Sequence, residues 1–216
     1  MKLQIKYNFT DLNTALAIAH ETKEFADILE IGQLLILKEG IKGIEAFCKT
    51  FPDKKIYVDT KLSERPEETI ALLADLGVHY ISVLAGAYHT IIRKACEAAA
   101  KESIHVVIDF INASTLGQSA MEAQTLGAAA VLIHRENALD EQANNLENDW
   151  QQVRDNTDLP IFMQGKINAQ SLKAIIPLRP QVIIVGDAIT RSKHPAHEAE
   201  VMRKILADAT PVGPRT

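Results

Sequence analysis

Reactive and targeting features are scarce in these 216 residues. There are only two cysteines, Cys48 and Cys96. Both fall on predicted helices among apolar neighbours, which points to buried free thiols rather than a disulfide framework. No apolar run approaches the roughly 20 residues needed to span a bilayer. No basic stretch is sustained and the net charge is −5, so nothing calls for nucleic acid or an anionic membrane surface. There is no linker and no low-complexity segment. No G-x-G-x-x-G follows the first strand, which argues against a doubly wound dinucleotide fold. Ser63 and Ser114 have no adjacent base, so a nucleophilic triad is not expected. The chain opens on Met1-Lys2-Leu3-Gln4-Ile5, which enters a strand at once. A signal peptide is therefore not expected, and a cytoplasmic location is.

What is present is an alternation. Short, apolar, β-branched-rich segments at 3–8, 27–32, 55–60, 80–84, 105–109, 130–134, 160–164 and 182–186 read as strands buried on both faces. Helical patterns lie between and after them, at 12–23, 36–50, 66–76, 87–101, 117–126, 141–155, 169–176 and 196–207. Gly77 and Gly127 stand at C-cap positions, and Pro66 and Pro195 at first helical turns. Eight such units predict an α/β fold, a single-domain (β/α)8 TIM barrel over residues 1–216.

A barrel puts its chemistry where strands end and βα loops begin. Those ends carry Asn8, Glu30, Asp59 with Lys61, Asp109 with Asn112, His134 with Arg135, Gln164-Gly165-Lys166 and Gly186-Asp187. The densest is Asp59-Thr60-Lys61-Leu62-Ser63-Glu64, closing the third strand. Strand alternation sends Asp59 and Lys61 to one face, where each keeps the other ionised. A fixed ammonium beside carboxylates suits a reaction in which negative charge develops and a proton is then delivered. His194 and His197 form an H-x-x-H, for which no third metal ligand stands nearby in sequence.

The hexapeptide resembles the D-x-K-x-x-D motif of the orotidine 5′-monophosphate decarboxylase suprafamily, on the same third strand. Its sugar-phosphate branch, 3-keto-L-gulonate 6-phosphate decarboxylase and 3-hexulose 6-phosphate synthase, is the nearest likeness. Ile28-Leu29-Glu30-Ile31-Gly32 is similar to that branch's second strand. Ile183-Ile184-Val185-Gly186 with Ala188-Ile189-Thr190 is similar to its eighth, and His134-Arg135 to the decarboxylase's sixth. The resemblance implies Mg²⁺ held by Glu30 and Asp59, an enediolate stabilised by the ion and Lys61, and a proton positioned or delivered by His134 and Arg135. It also implies a phosphate near Gly165, Gly186 and Asp187, and substrate contacts from Asn8 and Asp109. A homodimer follows from it too, with Glu64 reaching into the neighbouring site.

Four positions depart from the family pattern. Asn8 and Glu64 stand in place of aspartates, Gln164 in place of the first glycine of a pair, and Asp187 where the family carries Arg or Gly beside the phosphate. The leading expectation is Mg²⁺-dependent decarboxylation of a β-keto sugar-acid phosphate. The alternatives are the aldol reaction of formaldehyde with ribulose 5-phosphate, or a non-catalytic barrel that binds a sugar phosphate. His134-Arg135 favours the first; Asp109 and Ala188-Ile189-Thr190 favour the second.

Overall fold

The computed structural model describes residues 1–135 and 144–209. Eight parallel strands close into one barrel in chain order. They are β1 (Lys2–Tyr7), β2 (Ile28–Ile31), β3 (Lys55–Leu62), β4 (Tyr80–Leu84), β5 (His105–Asp109), β6 (Ala130–His134), β7 (Ile161–Gln164) and β8 (Val182–Val185). Helices α1 (Leu12–Thr22), α2 (Gln33–Thr50), α3 (Pro66–Leu73), α4 (His89–Lys101), α5 (Leu116–Thr125), α6 (Asn144–Arg154), α7 (Leu172–Ile175), α8 (Asp187–Thr190) and α9 (Pro195–Asp208) lie among them. The expected domain bounds and the start of the sixth expected helix include positions 136–143 and 210–216, outside the described residues.

Period two on each strand divides the hydrophobic set in two. Leu3, Ile5 and Tyr7 of β1 face the helices with Leu29, Ile31 and Val58. Ile28, Tyr57, Val107, Leu132, Phe162 and Ile184 form a separate cluster that fills the barrel. Each fully buried side chain of this size contributes about 1.5–3 kcal/mol by leaving water. This interior plug supports whatever sits above it at the C-terminal strand ends.

Three departures from expectation have local causes. Helix α2 starts at Gln33 rather than 36, because Asn8 Oδ1 accepts a hydrogen bond from the Leu34 N–H at 2.9 Å and caps the first turn from another strand. Inside α2, Gly40 takes φ 59°, a left-handed turn that breaks the helix and that glycine adopts without steric cost. The seventh helix shrinks to one turn followed by a 3₁₀ segment over Ile176–Leu178, where Pro177 supplies no N–H. Cys48 and Cys96 are buried free thiols, and burial pushes each thiol pKa up to about 11. Among the described residues no helix is long and apolar enough to cross a membrane.

Candidate active site

The inward-facing positions above the apolar plug are polar on seven of the eight strands. Lys6 follows Gln4 on β1, Glu30 follows Ile28 on β2, and Asp59 follows Tyr57 on β3. Ser82, Asp109, His134 and Gln164 take the same place on β4 to β7. Strand register brings neighbours level: Lys6 pairs with Glu30, and His134 with Gln164.

These side chains form a continuous row of alternating charge. Lys6 Nζ lies 2.9 Å from Glu30 Oε1 and 2.6 Å from Asp59 Oδ2. Lys61 Nζ lies 3.4 Å from Asp59 Oδ1 and 2.7 Å from Asp109 Oδ2. His134 Nδ1 then stands 3.0 Å from Asp109 Oδ2. Gln164 Nε2 reaches His134 Nε2 at 3.0 Å. With the amide donating there, the imidazole proton sits on Nδ1 and points at Asp109.

Most of this row is out of water. Glu30 is 1% exposed, Asp59 2% and Asp109 0%. Burial alone would suppress charge on all of them, so the partners decide the outcome. For Lys6, burial opposes the charge but Glu30 and Asp59 outweigh it, holding the ammonium well above the ordinary lysine value. Burial also opposes ionisation of Asp59, and Lys6 and Lys61 overcome it, leaving that carboxyl below the usual range. Asp109 behaves likewise: burial raises it, while the His134 hydrogen bond and Lys61 bring it down further than burial lifts it. Glu30 goes the other way. Burial raises it, Asp59 adds to the rise, and Lys6 and the Gln4 amide at 2.6 Å compensate only in part.

Lys61 reaches the row by an irregularity, not by simple alternation. The β3–β4 register shifts between Val58 and Leu62. Lys61 has φ 44°, a left-handed conformation that costs a residue with a side chain about 1–2 kcal/mol. Ser82 stabilises the bulge. Its Oγ accepts the Lys61 N–H at 2.8 Å and donates to Asp59 Oδ1 at 2.9 Å, and its carbonyl accepts from Thr60 Oγ1 at 2.6 Å. Asp59 and Lys61 therefore converge as expected, but through a serine-pinned bulge.

Above the row lies a cavity of about 390 Å³ whose walls include Lys6, Asn8, Asp59, Lys61, His134 and Lys166. Gly186, Asp187 and Ala188 close it on the β8 side. A larger cavity, about 570 Å³, opens at the opposite end of the barrel among Ile28, Tyr80, His105, Phe162 and Val182. Lys2 and Arg179 border that one, but it has no carboxylate in its walls to pair with a cation, so the smaller one is the candidate site.

The other expected residues are distributed unevenly. Asn8 lines the cavity, although its oxygen is engaged in capping α2. Gly165 has φ 156°, which side-chained residues rarely adopt, and with Lys166 it lines an adjoining cavity of about 470 Å³. Asp187 turns outward: its side chain is 74% exposed and pairs with Arg191 Nε at 3.1 Å. Two expectations need correction. Asp109, expected on the substrate, lies wholly buried beneath Lys61 and also accepts the Ile111 N–H, so it anchors other groups. Arg135, expected beside the reacting proton, directs Nη1 to Asp149 Oδ2 at 3.2 Å, towards α6. Glu64 is exposed beyond β3 and outside the walls of the cavity.

Sequence reasoning missed Lys6, Gln4 and Ser82. The signal for the first two was available, because Lys2, Gln4 and Lys6 alternate with Leu3, Ile5 and Tyr7, which puts Gln4 and Lys6 on one face of the strand. Ser82, alone among the apolar residues of β4, offered nothing comparable.

The donor set leaves no room for the divalent ion that the resemblance implies. Both Glu30 oxygens are already engaged, by Lys6 and Gln4, and both Asp59 oxygens, by Lys6 and Ser82. Among the described residues no group of three or more His, Cys, Asp or Glu side chains is arranged to hold a metal ion. A doubly charged ion about 4 Å from the Lys6 ammonium would be repelled by roughly 8 kcal/mol at an effective dielectric of about 20. The residues present do not fit the ion while Lys6 is in place.

Barrel, cavity and lysine–carboxylate row together define a (β/α)8 protein with a charged site at its C-terminal face. The chain belongs to the orotidine 5′-phosphate decarboxylase / HUMPS family, whose pattern matches residues 1–202. It is 30% identical over 213 residues to 3-hexulose-6-phosphate synthase of Mycobacterium gastri, covering 96% of this chain and 100% of that one. The crystal structure of 3-hexulose-6-phosphate synthase from Salmonella typhimurium superposes with a TM-score of 0.88 at 28% identity, covering 97% of this chain and all of that one. In fold it also matches 3-keto-L-gulonate-6-phosphate decarboxylase from Vibrio cholerae, with a TM-score of 0.82 at 20% identity over 97% and 99% of the two chains.

Proposed function

We propose that the chain is a carbon–carbon lyase acting on a phosphorylated ketose through an enediolate. The aldol reaction of formaldehyde with ribulose 5-phosphate is the favoured reaction. This shifts the weight from the decarboxylation expected from His134-Arg135 to the second reading. The relatives named 3-hexulose-6-phosphate synthase support the shift.

The observation that carries the reading is the anchoring of two ammonium groups, Lys6 and Lys61, on the cavity wall by buried carboxylates. Removal of a proton from C1 of the ketose leaves an electron pair shared with the C2 carbonyl. Preorganised cations at that oxygen stabilise the enediolate without reorganising during the step. Its C1 then attacks the formaldehyde carbon, and the new alkoxide takes the proton that His134 removed from C1. His134, oriented by Asp109 through Nδ1, is the base for C1 once Gln164 releases Nε2. The diversion of Arg135 to Asp149 argues against the decarboxylase assignment, because it removes the second proton-delivering group expected there.

Lys166 and the backbone at Gly165 and Gly186 are the candidates to hold the phosphate. The same reading includes a cytosolic homodimer in which Glu64 completes the neighbouring site. Sedimentation checks the dimer, and a monomer would remove Glu64 from the machinery. Activity is tested by formaldehyde consumption with ribulose 5-phosphate, with Lys61→Ala as control. CO₂ release from 3-keto-L-gulonate 6-phosphate in place of aldol turnover would restore decarboxylation. Tight binding of either substrate without turnover would make the chain a non-catalytic barrel.

A further inference from the structure

The space between Glu30 and Asp59 holds a side chain from β1. We propose that the Lys6 ammonium is the resident cation of this site, standing in for a divalent ion, and that the chain neither binds nor needs such an ion there.

The placement is built into the fold. Lys6 and Glu30 are level partners on adjacent parallel strands, and β3 follows next, so an inward lysine on β1 is directed between the two carboxylates. Its side chain is 11% exposed and makes both contacts at charge-assisted distances of 2.9 and 2.6 Å. Gln4, two residues back on the same face, holds the remaining Glu30 oxygen at 2.6 Å. Ser82 holds the remaining Asp59 oxygen. Every carboxylate oxygen that an ion would need thus has a partner supplied by the chain.

The substitution changes what the site can recognise. A divalent ion keeps open coordination positions and can take two adjacent substrate oxygens at once. An ammonium has three N–H donors. Two of those on Lys6 point at Glu30 and Asp59, which leaves one for the cavity. Lys61, with Asp109 and Asp59 as neighbours, is in the same position. The site therefore offers separate single hydrogen bonds from two points, not a chelate. It suits a substrate that presents one developing oxyanion, as at C2 of the proposed enediolate, and whose neighbouring oxygen is met by a separate donor. This substrate preference rests on the proposed function; the exclusion of the ion does not.

The test titrates Mn²⁺ into the full-length protein and follows free Mn²⁺ by electron paramagnetic resonance, with Mg²⁺ calorimetry alongside. The wild type is expected to leave the free-ion signal unchanged. Lys6→Ala is expected to bind one ion per chain, and adding Glu30→Gln to abolish that binding. If Lys6→Ala does not fold, Lys6→Met carries the same test. Stoichiometric Mn²⁺ binding by the wild type that Glu30→Gln removes overturns the proposal. Failure of both Lys6 variants to bind an ion overturns it as well, since the ammonium would then not be what excludes the metal. Activity is read separately with excess chelator, where wild-type turnover should be unaffected. Absence of turnover on every sugar phosphate would sink the proposed reaction while leaving the ion measurement to decide this point alone.

Discussion

Replacing Lys6 by methionine keeps most of the side-chain volume and deletes the charge, so it isolates what the ammonium does for the fold. Glu30 and Asp59, 1% and 2% exposed, then face each other with Lys61, on the far side of Asp59, as the one cation still paired with either among the described residues. Breaking a buried pair by removing one partner costs about 3–5 kcal/mol. At roughly 2–4 °C per kcal/mol for a domain of this size, the melting temperature should fall by about 6–20 °C. The loss should also depend on pH. Burial already raises Glu30 above its unfolded value, and without Lys6 it rises further. A carboxyl raised in the folded state contributes its stability below the unfolded pKa and loses it as pH climbs through the folded one. The deficit of Lys6→Met relative to wild type should therefore be largest near about pH 8 and shrink towards about pH 5. Adding Glu30→Gln should restore most of it. Melts followed by far-ultraviolet circular dichroism at the two pH values measure all three quantities. A deficit that ignores pH, or that Glu30→Gln does not relieve, would refute the claim that the carboxylates are held apart by Lys6.

Asp109→Asn should lower kcat by about a hundredfold with little change in KM, because the buried carboxylate orients His134 and Lys61 without reaching the cavity; steady-state kinetics separate the two constants. Asp187→Gly removes one negative charge beside the proposed phosphate end. At about 7 Å in water this relieves roughly 1 kcal/mol against a dianion, so KM for a phosphorylated substrate should drop about fivefold. At position 61 both Gly and Ala lose the ammonium, but only Gly suits φ 44°, so Lys61→Gly should be more stable than Lys61→Ala by about 1 kcal/mol, the reverse of the usual order. Urea midpoints for the two variants check the sign.

The barrel was legible because its signal is repeated. Eight apolar segments separated by helical periods leave few topologies, and strands such as 80–84, 105–109 and 130–134 match the structure at both ends. The site was legible where a strand end broadcasts charge, as at Asp59-Thr60-Lys61. It was not legible where function depends on direction. Nothing in the sequence says that Arg135 turns to Asp149, that Asp109 lies under Lys61, or that Asp187 folds out onto Arg191. Such choices are made by long side chains in competition among neighbours from distant elements, and periodicity does not encode them. Lys6 is the opposite case. Its spacing from Gln4 carried the information, but a lysine inside a first strand reads as an ordinary edge residue until closure puts β1 beside β2 and β8.

Closure also explains why one residue can change the chemistry of the row without disturbing the rest. Seven strands each present an inward polar group above the apolar plug, so each group is fixed by its own strand and constrained mainly by the two beside it. Glu30, Asp59, Lys61 and Asp109 are each carried by a strand other than the one that bears Lys6. What changes with Lys6 is how the charge between Glu30 and Asp59 is held. An ion must be recruited from solution and its site stabilised by binding. The Lys6 ammonium is present in every folded molecule, at the cost of ordering one long side chain and with half the charge. A smaller charge polarises a ketose carbonyl less, and the row compensates with a second ammonium, Lys61, linked to Lys6 through Asp59. The strained bulge of β3 follows from that arrangement. Regular alternation would leave Lys61 further from Asp59, whereas the left-handed turn pinned by Ser82 brings the two cations onto one wall of one cavity.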